Sequence, residues 1–182
     1  RESTLDGYKA LIKNQIKPYI GDKPLSSLTT QDIQKFYNTV KEKGRVRPDK
    51  LNGSQLSDSV VRSIHMLLHE AMDAAVRDKL IVKNPTARTV IPKTNYAPKQ
   101  VLNDEQLDKF MSVIKEDKLW YDFFYTEITT GLRRGEICGL KWEDFYGQSG
   151  SLKIQRTVTR QKGGGLSTGE TKTETGTRTI IL

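Results

Sequence analysis

A mainly helical first part, followed by a second part that combines helices with a small antiparallel sheet, is the fold class this sequence predicts. Three observations predict it. Apolar residues recur with helical spacing as far as residue 80, a stretch with two prolines and no periodicity follows at 92–100, and a strict two-residue alternation appears beyond residue 150. These place a helical domain at 1–91, a linker at 92–100 and a mixed domain at 101–182, and 182 residues are enough for two small compact units.

Leu5, Tyr8, Leu11, Ile12 and Ile16 predict one helix from about Leu5 to Ile20 with a single buried face, beside a separate basic stripe of Lys9, Lys13 and Lys17. In Leu28-Thr29-Thr30-Gln31-Asp32, Thr30 is the candidate cap of a second helix that carries Ile33, Phe36, Tyr37 and Val40 and ends at Gly44. The charged, turn-rich run from Lys41 to Ser54 reads as an exposed loop. A long helix from about Ser57 to Leu80 follows, with Val60, Val61, Ile64, Leu67, Leu68, Ala71, Met72 and Ala75 on its apolar face and Arg62, His65 and His69 off it. Four helices, counting a short turn around Ile81 to Thr86, would make a compact first domain.

In the second domain, Asn103-Asp104-Glu105-Gln106 is a capped start for a helix with Leu107, Phe110, Met111 and Ile114. Another helix spans Leu119 to Thr130. Leu152, Ile154, Arg156 and Val158 alternate as in a strand from Leu152 to Thr159, and Thr177 to Leu182 resembles a second strand, with Gly163-Gly164-Gly165 as a turn between them. No internal repeat is present.

The formal net charge of +8 suits a polyanionic partner. Residues 1–100 hold 18 Lys and Arg against 10 Asp and Glu, whereas residues 101–182 hold 12 of each, so the surplus belongs to the first part. That asymmetry separates a region that grips phosphates from one with a finer task. No run approaches the roughly 20 apolar residues of a membrane span, and no secretion signal opens the sequence, so a soluble cytoplasmic protein is expected. The single Cys138 reads as a small packing residue, without the spacing of a disulfide or a metal site. No metal and no cofactor are expected.

The stretch Thr130-Gly131-Leu132-Arg133-Arg134-Gly135-Glu136 places a glycine, a guanidinium and an acid at a helix start. The glycine lets backbone pass close to a ligand, and an arginine there adds donors to amides already suited to a phosphate. An isolated Arg-Arg-Gly-Glu would be read only as solvated helical charges. The flanking residues change that reading. From Thr130 through Cys138-Gly139-Leu140-Lys141-Trp142-Glu143-Asp144-Phe145 the chain resembles the first-arginine motif of tyrosine recombinases, the phage-type integrases, in which Thr-Gly-Leu-Arg is followed by an acid, a Leu and a Trp-x-Asp turn.

The resemblance implies that Arg133 stabilises charge on an attacked phosphodiester, that Glu136 supports it, and that Arg134 is a solvated neighbour. A second match, Glu170-Thr171-Lys172-Thr173 through Leu182, resembles the family's strand-turn lysine segment, with Lys172 as the general acid for the leaving 5′ oxygen. Thr171 and Gly176-Thr177-Arg178 depart from the family's usual Pro before and Ser-Arg after, which leaves Lys162 as an alternative acid. Ser57 to Leu68, with the exit Leu80 to Pro85, resembles the helical (SAM-like) core-binding domain, so that the second domain would be the α+β catalytic domain, truncated here. Lys9, Lys13, Ser57, Ser59, Arg62 and His65 are the candidate DNA contacts, and His69 is read as structural.

The likeness is strongest to integrases of conjugative transposons. It implies a bacterial, nucleoid-associated enzyme that works as a homo-tetramer on paired double-stranded DNA sites and forms a covalent 3′-phosphotyrosine without ATP or metal. The family's His-x-x-Arg pair and nucleophilic tyrosine have no counterpart in these residues; Tyr121, Tyr125 and Tyr146 read as packing residues, and the chain alone is expected not to cleave. Two other readings remain: a DNA-binding module or regulator without catalysis, which only the missing segment separates from the enzyme, and a basic scaffold, which has no need of a glycine-framed arginine.

Overall fold

The computed structural model describes residues 2–51, 53–94, 98–161, 164–171 and 174–182. The chain forms two compact units, Arg1–Pro98 and Lys99–Leu182.

The first unit is helical. Helix α1 (Glu2–Leu11) passes through a wider π-helical turn (Ile12–Ile16) into α2 (Lys17–Ile20), where one continuous helix was expected. Two features of the sequence explain the wide turn. The half-buried Leu11, Ile16 and Ile20 are spaced five and then four apart, so an added residue keeps Ile16 on the inner face. Pro18 also lacks the N–H that an unbroken α-helix would use and would crowd the carbonyl four residues back. The turn brings Gln15 inward, where its Nε2 donates to the Gly44 carbonyl at 3.3 Å.

Helix α3 (Thr30–Lys43) is capped by Thr29, one residue before the expected Thr30. The Thr29 hydroxyl accepts from the Asp32 amide, and the Asp32 carboxylate accepts from the Thr29 amide at 2.9 Å. Hydrogen bonding from Lys23, and then from Thr29, holds Asp32 far below the ordinary carboxylate range. Helix α4 (Asp58–Arg77) lays Val61, Ile64, Leu68 and Met72 against Ile33, Phe36, Tyr37 and Val40 of α3, which makes the core of this unit. Lys79, at φ 58°, turns the chain after α4. Ile81 to Thr86 is not helical, contrary to expectation: Asn84 donates to Asp73 at 2.6 Å and to the His69 carbonyl at 3.2 Å, and these bonds hold the segment as a loop instead.

The second unit begins with α5 (Asp104–Ile114), closed by a reciprocal Asn103–Gln106 cap, and α6 (Lys118–Thr130), capped by Asp117. Phe110 of α5 meets Phe124 of α6 edge to face at 5.1 Å. After the short α7 (Arg134–Ile137), strands β1 (Phe145–Tyr146), β2 (Ser151–Ile154) and β5 (Arg178–Ile181) form an antiparallel sheet in the order β1-β2-β5. Strands β3 (Arg156–Arg160) and β4 (Leu166–Glu170) form a separate antiparallel hairpin. The expected strand from Leu152 to Thr159 is therefore two strands, broken at Gln155, whose side chain turns to the Asp144 carboxylate at 2.6 Å. Leu132, Leu152 and Ile154 are the buried heart of the unit.

Tyr125 and Tyr146 are exposed rather than packed, and Tyr121 stacks on Tyr125 at 5.9 Å. Cys138 is likewise exposed: Leu132, Ile137 and Leu140 fill the core, and Gly139 takes the close approach to β3, leaving the cysteine at the solvent end of α7. Among the described residues no helix is long and apolar enough to cross a membrane.

Candidate functional site

The site in the second unit starts from a tight reversal. Helix α6 ends at Gly131, whose φ of 63° is a conformation that side chains disfavour, and Leu132 is then driven into the core. These two residues put Arg133 at the N-cap of α7 in extended conformation. A further close approach locks α7 in place, because a Cβ on Gly139 would lie 2.9 Å from the Arg156 carbonyl of β3.

Glu136 lies under this turn with only 3% of its side chain exposed, whereas the Arg133 side chain is 78% exposed. One carboxylate oxygen of Glu136 accepts from Arg133 Nη1 at 3.0 Å and the other from the Arg133 backbone amide at 3.1 Å. Arg178, at the start of β5, supplies the remaining donors: Nη1 to Oε1 at 3.2 Å and Nη2 to Oε2 at 2.9 Å, a bidentate fork. Hydrogen bonds from Arg178, opposed by burial and reinforced by the Arg133 amide and guanidinium, bring the Glu136 carboxyl down to about 2. The same pairing raises Arg178. The group therefore holds two guanidiniums and one carboxylate, and it presents the Arg133 guanidinium to solvent.

A second buried carboxylate braces the next turn. Asp144, 1% exposed, accepts from the Lys141 amide at 2.8 Å, from Gln155 and from Arg156, whose other terminal nitrogen reaches Glu143 at 3.1 Å. Burial pushes Asp144 up, but these donors outweigh it and leave the carboxyl below its ordinary value. The Trp142-Glu143-Asp144 segment thus pins the chain after α7 to the start of β3. Sequence reading singled out neither Arg156 nor Arg178 as a site residue. A signal existed for both, since each sits in register with inward-facing residues of its segment, Ile154 and Ile180, and a cation there requires a buried acid.

Lys172 and its alternative Lys162 lie outside the described residues. Beside Lys172, the buried Thr171 exchanges a hydroxyl hydrogen bond with Thr177 at 3.0 Å, which closes the base of the loop between β4 and β5.

The candidates in the first unit fall into two groups. Lys9 and Lys13 are exposed on α1 and the π turn. Ser57 caps α4 with its hydroxyl not used as a cap, and Ser57 and Ser59 border a cavity of about 310 Å³ that also takes in the Lys41–Asp58 ion pair. Arg62 and His65 follow along α4, both partly buried. His65 Nδ1 bonds the Tyr37 hydroxyl at 3.0 Å and its ring stacks on His69 at 5.4 Å. Burial, then His69 and Arg62, lower the His65 pKa below its ordinary value. His69 bonds Thr86 at 2.7 Å and lies 3.3 Å from Asp73.

Residues 1–41 match the model of the phage integrase N-terminal SAM-like domain. The ICEBs1 integrase of Bacillus subtilis (strain 168) is 30% identical over 139 residues, 75% of this chain and 34% of that protein. The transposase from transposon Tn916 of Enterococcus faecalis is 24% identical over 187 residues, covering 100% of this chain and 44% of the relative. Among solved structures, the Tn1549 transposon integrase in complex with a circular intermediate DNA superposes over 100% of this chain and 56% of its own, with a TM-score of 0.83 and 26% identity. The chain belongs to the tyrosine recombinase family of phage-type integrases. Within that family it is similar to integrases of mobile elements, and it spans less than half the length of these curated relatives.

Proposed function

We propose that this chain is the DNA-gripping and phosphate-activating part of a site-specific recombinase that integrates a bacterial mobile element by cutting and rejoining duplex DNA. Residues 1–91 serve as the core-binding domain, 92–100 as the linker and 101–182 as the first part of the catalytic domain. The observation that carries this reading is the exposed Arg133 guanidinium standing on a buried, fully ionised Glu136.

Chemistry follows from that geometry. When a tyrosine hydroxyl attacks a phosphodiester, negative charge gathers on the non-bridging oxygens, and a cation already held in place stabilises this charge without reorganising. Glu136 restrains the guanidinium, so the aiming is done before the DNA arrives. Lys172 protonates the departing 5′ oxygen, and the nucleophilic tyrosine comes from outside these residues. The covalent 3′-phosphotyrosine conserves the bond for rejoining. Lys9, Lys13, Ser57, Ser59, Arg62 and His65 hold the duplex in the first unit, which carries the charge surplus. A tetramer on paired sites, acting on the nucleoid in the bacterial cytoplasm, completes the proposal.

The test is Arg133→Ala in the recombinase polypeptide that contains this chain, assayed on duplex substrate. Binding should stay within about twofold, while formation of the covalent protein–DNA adduct should fall by about 10²–10³, as when one charge-stabilising donor is removed. An undiminished adduct rate would refute the assignment.

A further inference from the structure

The Arg133–Glu136 pair raises an electrostatic problem that a third residue solves. A lone arginine paired with a lone carboxylate is neutral, and a neutral pair has little hold on a phosphate. A buried carboxylate also needs several donors, and with no other source it would draw the whole guanidinium of Arg133 onto itself. Arg178 removes both difficulties. Its fork covers both oxygens of Glu136, at 3.2 and 2.9 Å, so Arg133 contributes one side-chain bond and its backbone amide. The cluster keeps one net positive charge, and that charge is carried on the exposed member. A further bond from Arg178 Nη1 to the Gly176 carbonyl at 3.2 Å fixes the fork to the loop before β5.

We propose that Arg178 is a positioning residue: by saturating Glu136 from the sheet side it leaves Arg133 cationic and with donors free for a phosphate. The inference rests on the reading of Arg133 as the phosphate ligand, and it concerns how that ligand is kept available. Arg178 itself does not touch the DNA. It acts through the carboxylate.

The experiment compares the wild-type chain with Arg178→Met, Arg178→Lys and Glu136→Gln by NMR. Three quantities are read: the Glu136 carboxyl titration, proton exchange at the Arg133 guanidinium, and the response of Arg133 Nε–H to added inorganic phosphate. In Arg178→Met, the Glu136 proton affinity should rise at least about tenfold, a full pH unit in midpoint. Arg133 exchange should slow as the guanidinium is drawn onto Glu136, and the apparent phosphate affinity at Arg133 should fall by about tenfold, the loss that accompanies about 1.4 kcal/mol of attraction. Arg178→Lys keeps the charge without the fork and should fall between the two. Glu136→Gln should free Arg133, so that adding Arg178→Met to it changes nothing more at Arg133.

An Arg178→Met chain whose Arg133 binds phosphate as the wild type does, despite a shifted Glu136, overturns the proposal. An additive effect in the Glu136→Gln background also overturns it. If Arg178→Met does not fold, Arg178→Lys and the Glu136→Gln chain carry the comparison, and an unchanged Arg133 in both counts against it. A wild-type Arg133 that ignores phosphate altogether counts against the site reading instead, and the carboxyl and exchange measurements then still decide the positioning role.

Discussion

Glu136 and His65 each add a pH dependence to their unit, alongside Asp144 and Asp32, and both signs follow from their surroundings. Glu136 is brought from its ordinary 4.5 down to about 2, so its ionised form stabilises the folded second unit. That stabilisation is present above about pH 4.5 and is lost as the pH falls toward 2. Acid titration of the wild-type chain should therefore show the second unit weakening across that interval, with a smaller loss in Glu136→Gln; equal acid sensitivity in both chains would be inconsistent with the pairing. His65 is shifted below its ordinary 6.5, by burial first and then by His69 and Arg62, while the Tyr37 hydroxyl holds its Nδ1. The folded first unit resists protonation there, so its stability is present above pH 6.5 and declines as the pH falls through that value. His65→Gln should flatten this decline when unfolding is followed by denaturant at pH 7.5 and pH 5.5.

At the scale of elements, the two units depend on different devices. In the first, α3 and α4 share a core in which Ile33, Val40, Val61 and Ile64 are fully buried. Ile64→Ala should cost about 2–5 kcal/mol, measured by urea unfolding. In the second, the core is small and α7 is short, so backbone proximity matters more. Gly139→Ala would place a methyl 2.9 Å from the Arg156 carbonyl and should cost about 1–3 kcal/mol, with an unchanged unfolding midpoint as the contrary result.

Much of this was legible in the amino acids. Ile33, Phe36, Tyr37 and Val40, and Val61 to Met72, announced their helices because one apolar stripe met one partner. The π turn was hidden because its cause is a proline and a five-residue apolar step inside an otherwise regular pattern. Gln155 broke the long strand through a side-chain bond to Asp144, and no local propensity encodes such a partner. Arg133 and Glu136 could be picked out from their motif. Arg178 carried only a weaker signal, its place in register with Ile180, which calls for a buried acid without naming one: the partner lies 42 residues away in sequence and only the sheet brings them together.

For the whole molecule, the division of charge matches the division of structure. The surplus of Lys and Arg lies in residues 1–100, nearly the same span as the first compact unit, whereas residues 101–182 are balanced and hold Arg156 and Arg178 on buried acids. Phosphate affinity of the first kind is collective and salt-sensitive, so duplex binding by the chain should weaken steeply as salt rises. The phosphate contact proposed for the second unit is local, resting on one guanidinium. The most direct measurement therefore replaces single phosphates of a duplex target, one at a time, with neutral methylphosphonates and compares binding by the wild-type chain and by Arg133→Ala. A penalty at one phosphate that is present in the wild type and absent in Arg133→Ala is expected, the mark of a coupled pair. Identical penalties in both proteins at every position would contradict the assignment of Arg133 as the phosphate ligand.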